Sequence, residues 1–523
     1  MSDLPKDYDI IIVGTGLTES ILAGALARIG KSVLHIDRNQ FYGGEFASHT
    51  LNNLMEWSDK IKRYPDIEND REQNDKSCFK KCNNDLGKYY TEIEYSFSDL
   101  ETQDKLLKLS RKFTLDLTPN IFYSRGQLIE LLISSDVAKY CEFKMVSQIL
   151  TLDRDGNVQK VPTSRSEVFK SNKLGMLEKR SMMQFVQAVL KDDNFNELIE
   201  PEQLQTISFR QLISNKKFPQ IINDYLINAV AMCPNEKDNA LKGLNDTKKF
   251  LTSVGRFGDS PFLYSMYGAG ELPQCFCRMS AVFGAIYYLD MTIDKFHINS
   301  ENRIESITTK NDKEEFKFNC KNLIIDSSYA PIDYFKSIDN LISHCILITD
   351  KTIYKNDDGL DHISLLFLPK MKDTDIYMIE TSYASNCSPQ GYFVVYLFCR
   401  NTRKTSRENF EKCIETFFNI GELDENKPNV LFSCFYSHID SDYFVHELDK
   451  ISNRPNNLHF VSGCQPKLDF DHHVEQAKKI FNDICPNDEF MPKPPDPEDI
   501  IFGDETENKN EISKETNQNE TSE

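Results

Sequence analysis

The chain has 523 residues, 40% of them hydrophobic, and a formal net charge of −20. That length suggests two large domains or up to four smaller ones, with ample apolar content for real cores. The charge argues against nucleic acid, which needs clustered Lys and Arg, and against passive adhesion to anionic membranes.

Taken in chain order, the opening MSDLPKDYDIIIVG lacks a basic stretch and a long apolar run, so no signal peptide is expected. Residues 8–14 (YDIIIVG), the stretch GTGLTESILAGALARIG and residues 31–37 (KSVLHID) read as strand, glycine turn, helix and strand. Leu22, Ala23, Leu26 and Ala27 would face a sheet, and Gly30 would end the helix. This is a β-α-β unit with an expected right-handed crossover. Residues 58–105 are charge-rich and read as an insertion or loose excursion. From 126 to 235 the pattern turns helical, with Leu174, Leu177, Phe185 and Val189 near helical spacing. Strands return with RIESITT, EFKFNC and NLIIDSS from about 300, then HCILITD, HISLLFL and GYFVVYLF. Near the end, LHFVSG (458–463) reads as a strand before a helix that places Val474, Ala477, Phe481 and Ile484 on one face. His472 and His473, beside Asp471, read as cap residues of that helix. Residues from Pro495 on carry ten acidic and two basic side chains and are expected to be disordered. The final NETSE shows no prenylation box, and no run of 18 apolar residues occurs.

The glycine turn carries the most chemistry. In a working GxGxxG turn the glycines allow a tight bend, close approach to a pyrophosphate and close helix–strand packing. Here the turn reads Gly14-Thr15-Gly16-Leu17-Thr18-Glu19, with a glutamate for the third glycine. Its charge would lie near the pyrophosphate and repel it. Asp37, at the end of the second strand, would hold a ribose in a functional site. Flavoproteins of the class this resembles add a late Gly-Asp contact, where this chain has Gly463-Cys464. Both ends of the site are altered, so no cofactor is expected. The fourteen cysteines form no framework, and reduced thiols rather than a metal site are expected. No G-x-S-x-G elbow, Walker A motif or H-E-x-x-H occurs, so binding rather than catalysis is expected.

Three long blocks carry a resemblance. Residues 14–48 (GTGLTESILAGALARIGKSVLHIDRNQFYGGEFAS), 122–144 (FYSRGQLIELLISSDVAKYCEFK) and 247–289 (from TKKFLTSVGRFG to GAIYYL) resemble the ordered motifs of the GDP-dissociation-inhibitor and Rab-escort superfamily. The insertion, GGEFAS (43–48), ICPNDEFMPKPPDPEDIIF (484–502) with its acidic continuation, and Phe283 resemble the escort branch. The resemblance implies an α/β fold: a flavoprotein-like mixed-sheet domain assembled from discontinuous segments, plus a smaller all-helical domain. The implied division is 1–125 and 236–490 for domain I, 126–235 for helical domain II, and 491–523 for the tail.

The family's function, so carried over, is to bind GDP-bound unprenylated Rab GTPases and present them to the α/β heterodimer of Rab geranylgeranyltransferase. The geranylgeranylated Rab is then shielded and delivered to membranes from the cytosol. The resemblance implies a Rab-binding platform of Tyr42, Glu271, Gln274, Arg278, Ile286 and Tyr288. Glu271, Gln274 and Arg278 fall at i, i+3 and i+7, one face of a helix; without the resemblance they read as a capped helix salt-bridged internally. Phe283 is implied to touch the transferase. Escort proteins also place an arginine on or just after that helix, where this chain has Tyr287-Tyr288-Leu289-Asp290. Shielding a lipid worth about 0.8 kcal/mol per methylene needs an apolar slot. Leu174, Leu177, Phe185 and Val189 are its candidates, or plain core. Two rivals remain open at this point: a Rab GDP-dissociation inhibitor, and a flavin-dependent oxidoreductase.

Overall fold

The structure, a computed structural model, describes residues 5–493 apart from 63–78, 154, 171–173, 311–314, 332–339, 357, 372–373, 404, 420–423 and 452. The N-terminal unit forms as the pattern predicts: β1 (Asp7–Val13), α1 (Leu17–Arg28) and β2 (Val33–Ile36), with Ile10 to Val13 pairing in parallel with Val33 to Ile36. The one-faced reading of α1 is too narrow, because every residue from Leu17 to Ala27 is buried. One side meets the sheet, and helices Glu271–Val282 and Asp471–Ile484 clasp the other. A helix covered all round needs an apolar or small residue on every face, and LTESILAGALA supplies nearly that.

The first sheet runs in the order Ile286–Tyr288, β2, β1, Glu315–Asp326, Ile304–Lys310, Thr292–Ile298 and Phe79–Lys81. EFKFNC and NLIIDSS thus join into one strand, Glu315–Asp326. Its first half pairs antiparallel with Ile304–Lys310, and its second half pairs in parallel with Leu458–Val461. The second sheet runs Val158–Lys160, Gln148–Leu152, Ser364–Met371, Thr374–Thr381, Phe393–Arg400, Leu341–Thr349, Val430–Ile439 and Tyr90–Phe97. It is antiparallel except between Gln148–Leu152 and Ser364–Met371. Helix Ser406–Phe417 covers one face through Phe410, Cys413 and Ile414. The other face meets the first sheet across a shared core that holds Trp57, Tyr90 and Tyr436.

Two readings of the sequence differ from what forms. Within 58–105, the described part is built into both sheets rather than being a loose excursion. Phe79–Lys81 adds an edge strand to the first sheet, and Tyr90–Phe97 an edge strand to the second. In YTEIEYSF two glutamates flank the buried Ile93, and an extra residue at Glu92, with φ of 59°, lets Tyr90 three residues earlier be buried as well, so neither bulk composition nor a plain period of two reveals the strand. The second difference lies in 126–235. Helix Gln127–Ser134 packs on Asp471–Ile484, and three short strands follow between Phe143 and Lys160. The separate helical unit comprises Arg165–Lys170, Met176–Lys191, Phe209–Asn215, Gln220–Asp224, a π-helical turn Tyr225–Val230, and Ala240–Ser253. The architecture is therefore α/β, with flavoprotein-like mixed sheets and a smaller helical unit. The acidic stretch from 494 to 523 lies outside the described residues, as does 63–78.

Candidate functional site

The glycine turn is present but filled. Gly14 has φ of 98°, a left-handed conformation that glycine adopts freely, and a Cβ there would come within 2.8 Å of Asp326 Cβ. Asp37 sits at the end of β2 as expected, and five protein donors already occupy it. Oδ2 accepts the Thr15 N–H at 2.8 Å and its hydroxyl at 2.6 Å. Oδ1 accepts the Asn39 N–H at 2.7 Å, the Asn39 amide at 2.9 Å and the Tyr329 hydroxyl at 3.0 Å. No acceptor capacity is left for a ribose.

Glu19 folds back over the turn, so that a side chain on Gly16 would come within 2.6 Å of Oε2. Burial, then the neighbouring Asp326, raises its carboxyl well above the usual range. Glu45, also buried, accepts the N–H of Cys464 and, at 3.1 Å, the hydroxyl of Tyr89. Burial pushes its carboxyl up to about 8. The Arg38 guanidinium lies 3.6 Å from the centre of the Tyr329 ring and donates to the Asn83 carbonyl. The remaining cavity is about 30 Å³, room for a water or two. A dinucleotide does not fit these residues: the protein's own acids, Tyr329 and Arg38 occupy its cradle. Gly14, Gly16, Glu19, Asp37 and Cys464 are recognisable from the sequence pattern; Glu45 and Tyr329 are not, because their roles depend on contacts far along the chain.

His472 and His473 are not caps. His473 is buried with Nδ1 2.8 Å from the Thr18 hydroxyl, and His472 Nε2 lies 3.2 Å from the Gly463 carbonyl. Asp471 caps a different helix, accepting the Leu128 N–H at 3.1 Å. It also binds Lys249 at 2.8 Å, which joins the last helix of the helical unit to the first domain.

The surface beside the filled turn is built on helix Glu271–Val282. Leu272, Phe276 and Met279 recur at i, i+4 and i+7 and bury that face against α1. The opposite face presents Gln274 and Arg278 to solvent, with Glu271 half-buried at its start. Burial raises the Glu271 carboxyl. Arg278 is laid over the Tyr140 ring at 4.9 Å rather than salt-bridged inward, while Cys275 Sγ donates to the Tyr140 carbonyl at 3.2 Å. Tyr42, half-buried, meets Tyr287 edge to face at 5.8 Å. Strand alternation then divides the expected set. Tyr287 packs on the helix side of the sheet, and Ile286 and Tyr288 pack on the opposite face. Those two join the others only around the outer edge of strand Ile286–Tyr288, which has no strand partner on that side among the described residues.

Phe283 is the C-cap of the same helix and is half-buried, next to Val282, which is 73% exposed. In the helical unit, Leu174, Phe185 and Val189 lie in the core with Phe209 and Ile213, and Phe185 meets Phe218 edge-on at 5.6 Å. Leu177 points the other way and is 80% exposed. Among the described residues no group of three His, Cys, Asp or Glu side chains could hold a metal ion, and no helix is long and apolar enough to cross a membrane.

Comparison with known proteins accords with this architecture. The sequence profile of the GDP dissociation inhibitor family matches residues 4–88 and 85–430. Human Rab proteins geranylgeranyltransferase component A 2 is 30% identical, covering 96% of this chain and 94% of that protein. The Drosophila melanogaster component A is 29% identical over 97% of this chain and 94% of its own length. Among solved structures, a Rab GDI from Plasmodium falciparum superposes with a TM-score of 0.65 at 23% identity, covering 92% of this chain and 99% of that one. An oxidoreductase from Methanosarcina mazei does so with a TM-score of 0.52 at 11% identity, covering 91% and 100%. At those identities the structural matches establish the fold alone. The long match to the family profile and the near-complete alignment with the human protein together establish that the chain belongs to the GDP dissociation inhibitor family, among the Rab geranylgeranyltransferase component A proteins.

Proposed function

We propose that this protein is a Rab escort protein, a non-catalytic partner of Rab geranylgeranyltransferase. It binds a GDP-bound, unprenylated Rab GTPase and presents it to the α/β heterodimer for geranylgeranylation of C-terminal cysteines. It then keeps the prenylated Rab soluble in the cytosol until delivery to a membrane. The observation that carries this reading is the alignment along nearly the whole chain with component A proteins. The geometry is compatible with it: Gln274 and Arg278 are displayed outward on a rigid helix, beside Glu271 and Tyr42, and arginine and tyrosine are common anchors of protein interfaces. Ile286 and Tyr288 would take part by wrapping the outer edge of their strand. Phe283, at the far end of the helix, would meet the transferase. In the helical unit the exposed Leu177 is the better candidate for a lipid contact, and Leu174, Phe185 and Val189 would shape the unit from within.

A second reading has one observation in its favour, the superposition on a Rab GDI, and would make the chain a pure inhibitor. Reconstitution separates the two. GDP-loaded Rab, the transferase heterodimer and labelled geranylgeranyl diphosphate are combined with and without this protein. Label entering the Rab only in its presence supports the escort reading. Extraction of prenylated Rab from membranes without any such label supports the inhibitor.

A further inference from the structure

The sequence places no arginine at the Tyr287–Asp290 stretch beside Phe283, but the fold brings one from elsewhere. Arg28, the last residue of α1, holds its guanidinium 5.0 Å from the centre of the Phe283 ring. Two backbone carbonyls fix that guanidinium: Nη1 donates to Pro492 at 2.8 Å, and Nη2 donates to Ser135. Three separate pieces of chain therefore meet on one side chain. These are the end of helix Gln127–Ser134, the segment after helix Asp471–Ile484, and the C-cap of helix Glu271–Val282. The segment reaching Pro492 is itself seated, since Met491 is buried and Phe490 meets Phe481 edge-on at 5.3 Å.

A planar guanidinium can lie against a ring while its edges donate to two separated acceptors; a lysine ammonium is a compact point charge on a flexible stem and does not reproduce that fixed fork. Phe283 is half-buried against the core cluster that holds Met279 and Ala285, while Gly284 beside it is exposed and at φ of 91°. The Arg28 guanidinium adds a polar contact to the ring that the apolar packing does not supply. An anchor held in its bound rotamer loses less freedom on association than a mobile one.

We propose that Arg28 is a positioning residue for the partner contact made by Phe283, holding the ring in the orientation that the transferase receives. This rests on the reading of Phe283 as the transferase contact. Val282 enlarges the same apolar knob.

The test measures binding of the Rab·GDP complex of the full chain to purified transferase heterodimer, for wild type, Phe283→Ala, Arg28→Ala, Arg28→Lys and the double variant Arg28→Ala/Phe283→Ala. Phe283→Ala is expected to weaken binding at least tenfold, and Arg28→Ala about three- to tenfold. Arg28→Lys, which keeps the charge and the fold, is expected to behave like Arg28→Ala. The double variant is expected to be no weaker than Phe283→Ala alone, and Rab affinity is expected to stay unchanged throughout. Additive losses in the double variant, full rescue by lysine, or no effect of Arg28→Ala while Phe283→Ala weakens binding would overturn the role of Arg28 alone. No effect of Phe283→Ala would overturn the reading beneath it, and this proposal with it.

Discussion

The side-chain carboxyl oxygen of Glu45 accepts the backbone N–H of Cys464, tying the glycine-rich loop after β2 to the turn that follows strand Leu458–Val461. The neighbouring Gly463 has no room for a side chain, because a Cβ there would overlap that carboxyl group. Gly463→Ala is therefore expected to destabilise by about 3 kcal/mol, as overpacking of a rigid site does. In a Glu45→Ala background the same substitution should cost much less. Thermal unfolding of the four proteins reads this coupling directly, and equal losses in both backgrounds would contradict it.

Burial holds Glu45 protonated in the folded protein up to about pH 8, whereas the unfolded chain releases that proton near 4.5. The folded state thus binds more protons between those limits, and the contribution to stability declines as pH rises through them. Glu45→Gln keeps the acceptor for Cys464 and removes the titration. Relative to wild type, this variant should gain stability between pH 5 and 8, by at most roughly 1.4 kcal/mol per unit. A pH-independent difference in unfolding free energy would show that Glu45 is ionised in the folded state.

The filled turn makes a prediction about cofactors. Excess flavin adenine dinucleotide should leave the melting temperature unmoved, because a ligand that cannot enter the folded state cannot stabilise it. A yellow protein, or a shift of several degrees, would mean that Glu19, Glu45 and Arg38 can vacate the cradle.

Gln274 and Arg278 are exposed and touch little of the core. Arg278→Ala should weaken Rab·GDP binding tenfold or more, and Gln274→Ala somewhat less, as interface anchors do. Both should leave stability within about 0.5 kcal/mol of wild type. Titration with fluorescently labelled Rab, alongside unfolding curves, separates the two quantities.

The helical unit separates its candidates by exposure. Phe185→Ala is expected to cost about 3–5 kcal/mol and Val189→Ala about 2 kcal/mol, since both empty a packed core. Leu177→Ala should leave stability unchanged and reduce retention of geranylgeranylated Rab in solution. Intact retention would remove Leu177 from the lipid path.

What could be read from the sequence was what local pattern determines. β1, α1 and β2 follow from an apolar run, a glycine turn and a second run. The outward face of Glu271, Gln274 and Arg278 follows from helical spacing. Strand Tyr90–Phe97 is hidden because its glutamates dominate the composition and the bulge at Glu92 breaks the two-residue period between its buried Tyr90 and Ile93. Ile286 and Tyr288 were grouped with the helix residues although a strand's two-residue period turns them to the other face. Arg28 carried no signal at all. Nothing near residue 28 announces Phe283, Ser135 or Pro492, and only the assembled fold makes them neighbours.

The first sheet has a consequence for how the protein is made. Strand Leu458–Val461 and helix Asp471–Ile484 complete a domain whose opening strand lies about 450 residues earlier. At roughly 5–20 residues per second, a ribosome needs about 20–90 s to cover that interval. Throughout it, α1 has emerged without one of the two helices that enclose it, leaving an apolar surface bare in the nascent chain. Production of this protein in a foreign host should therefore depend on holding chaperones acting until the final tenth of the chain is released.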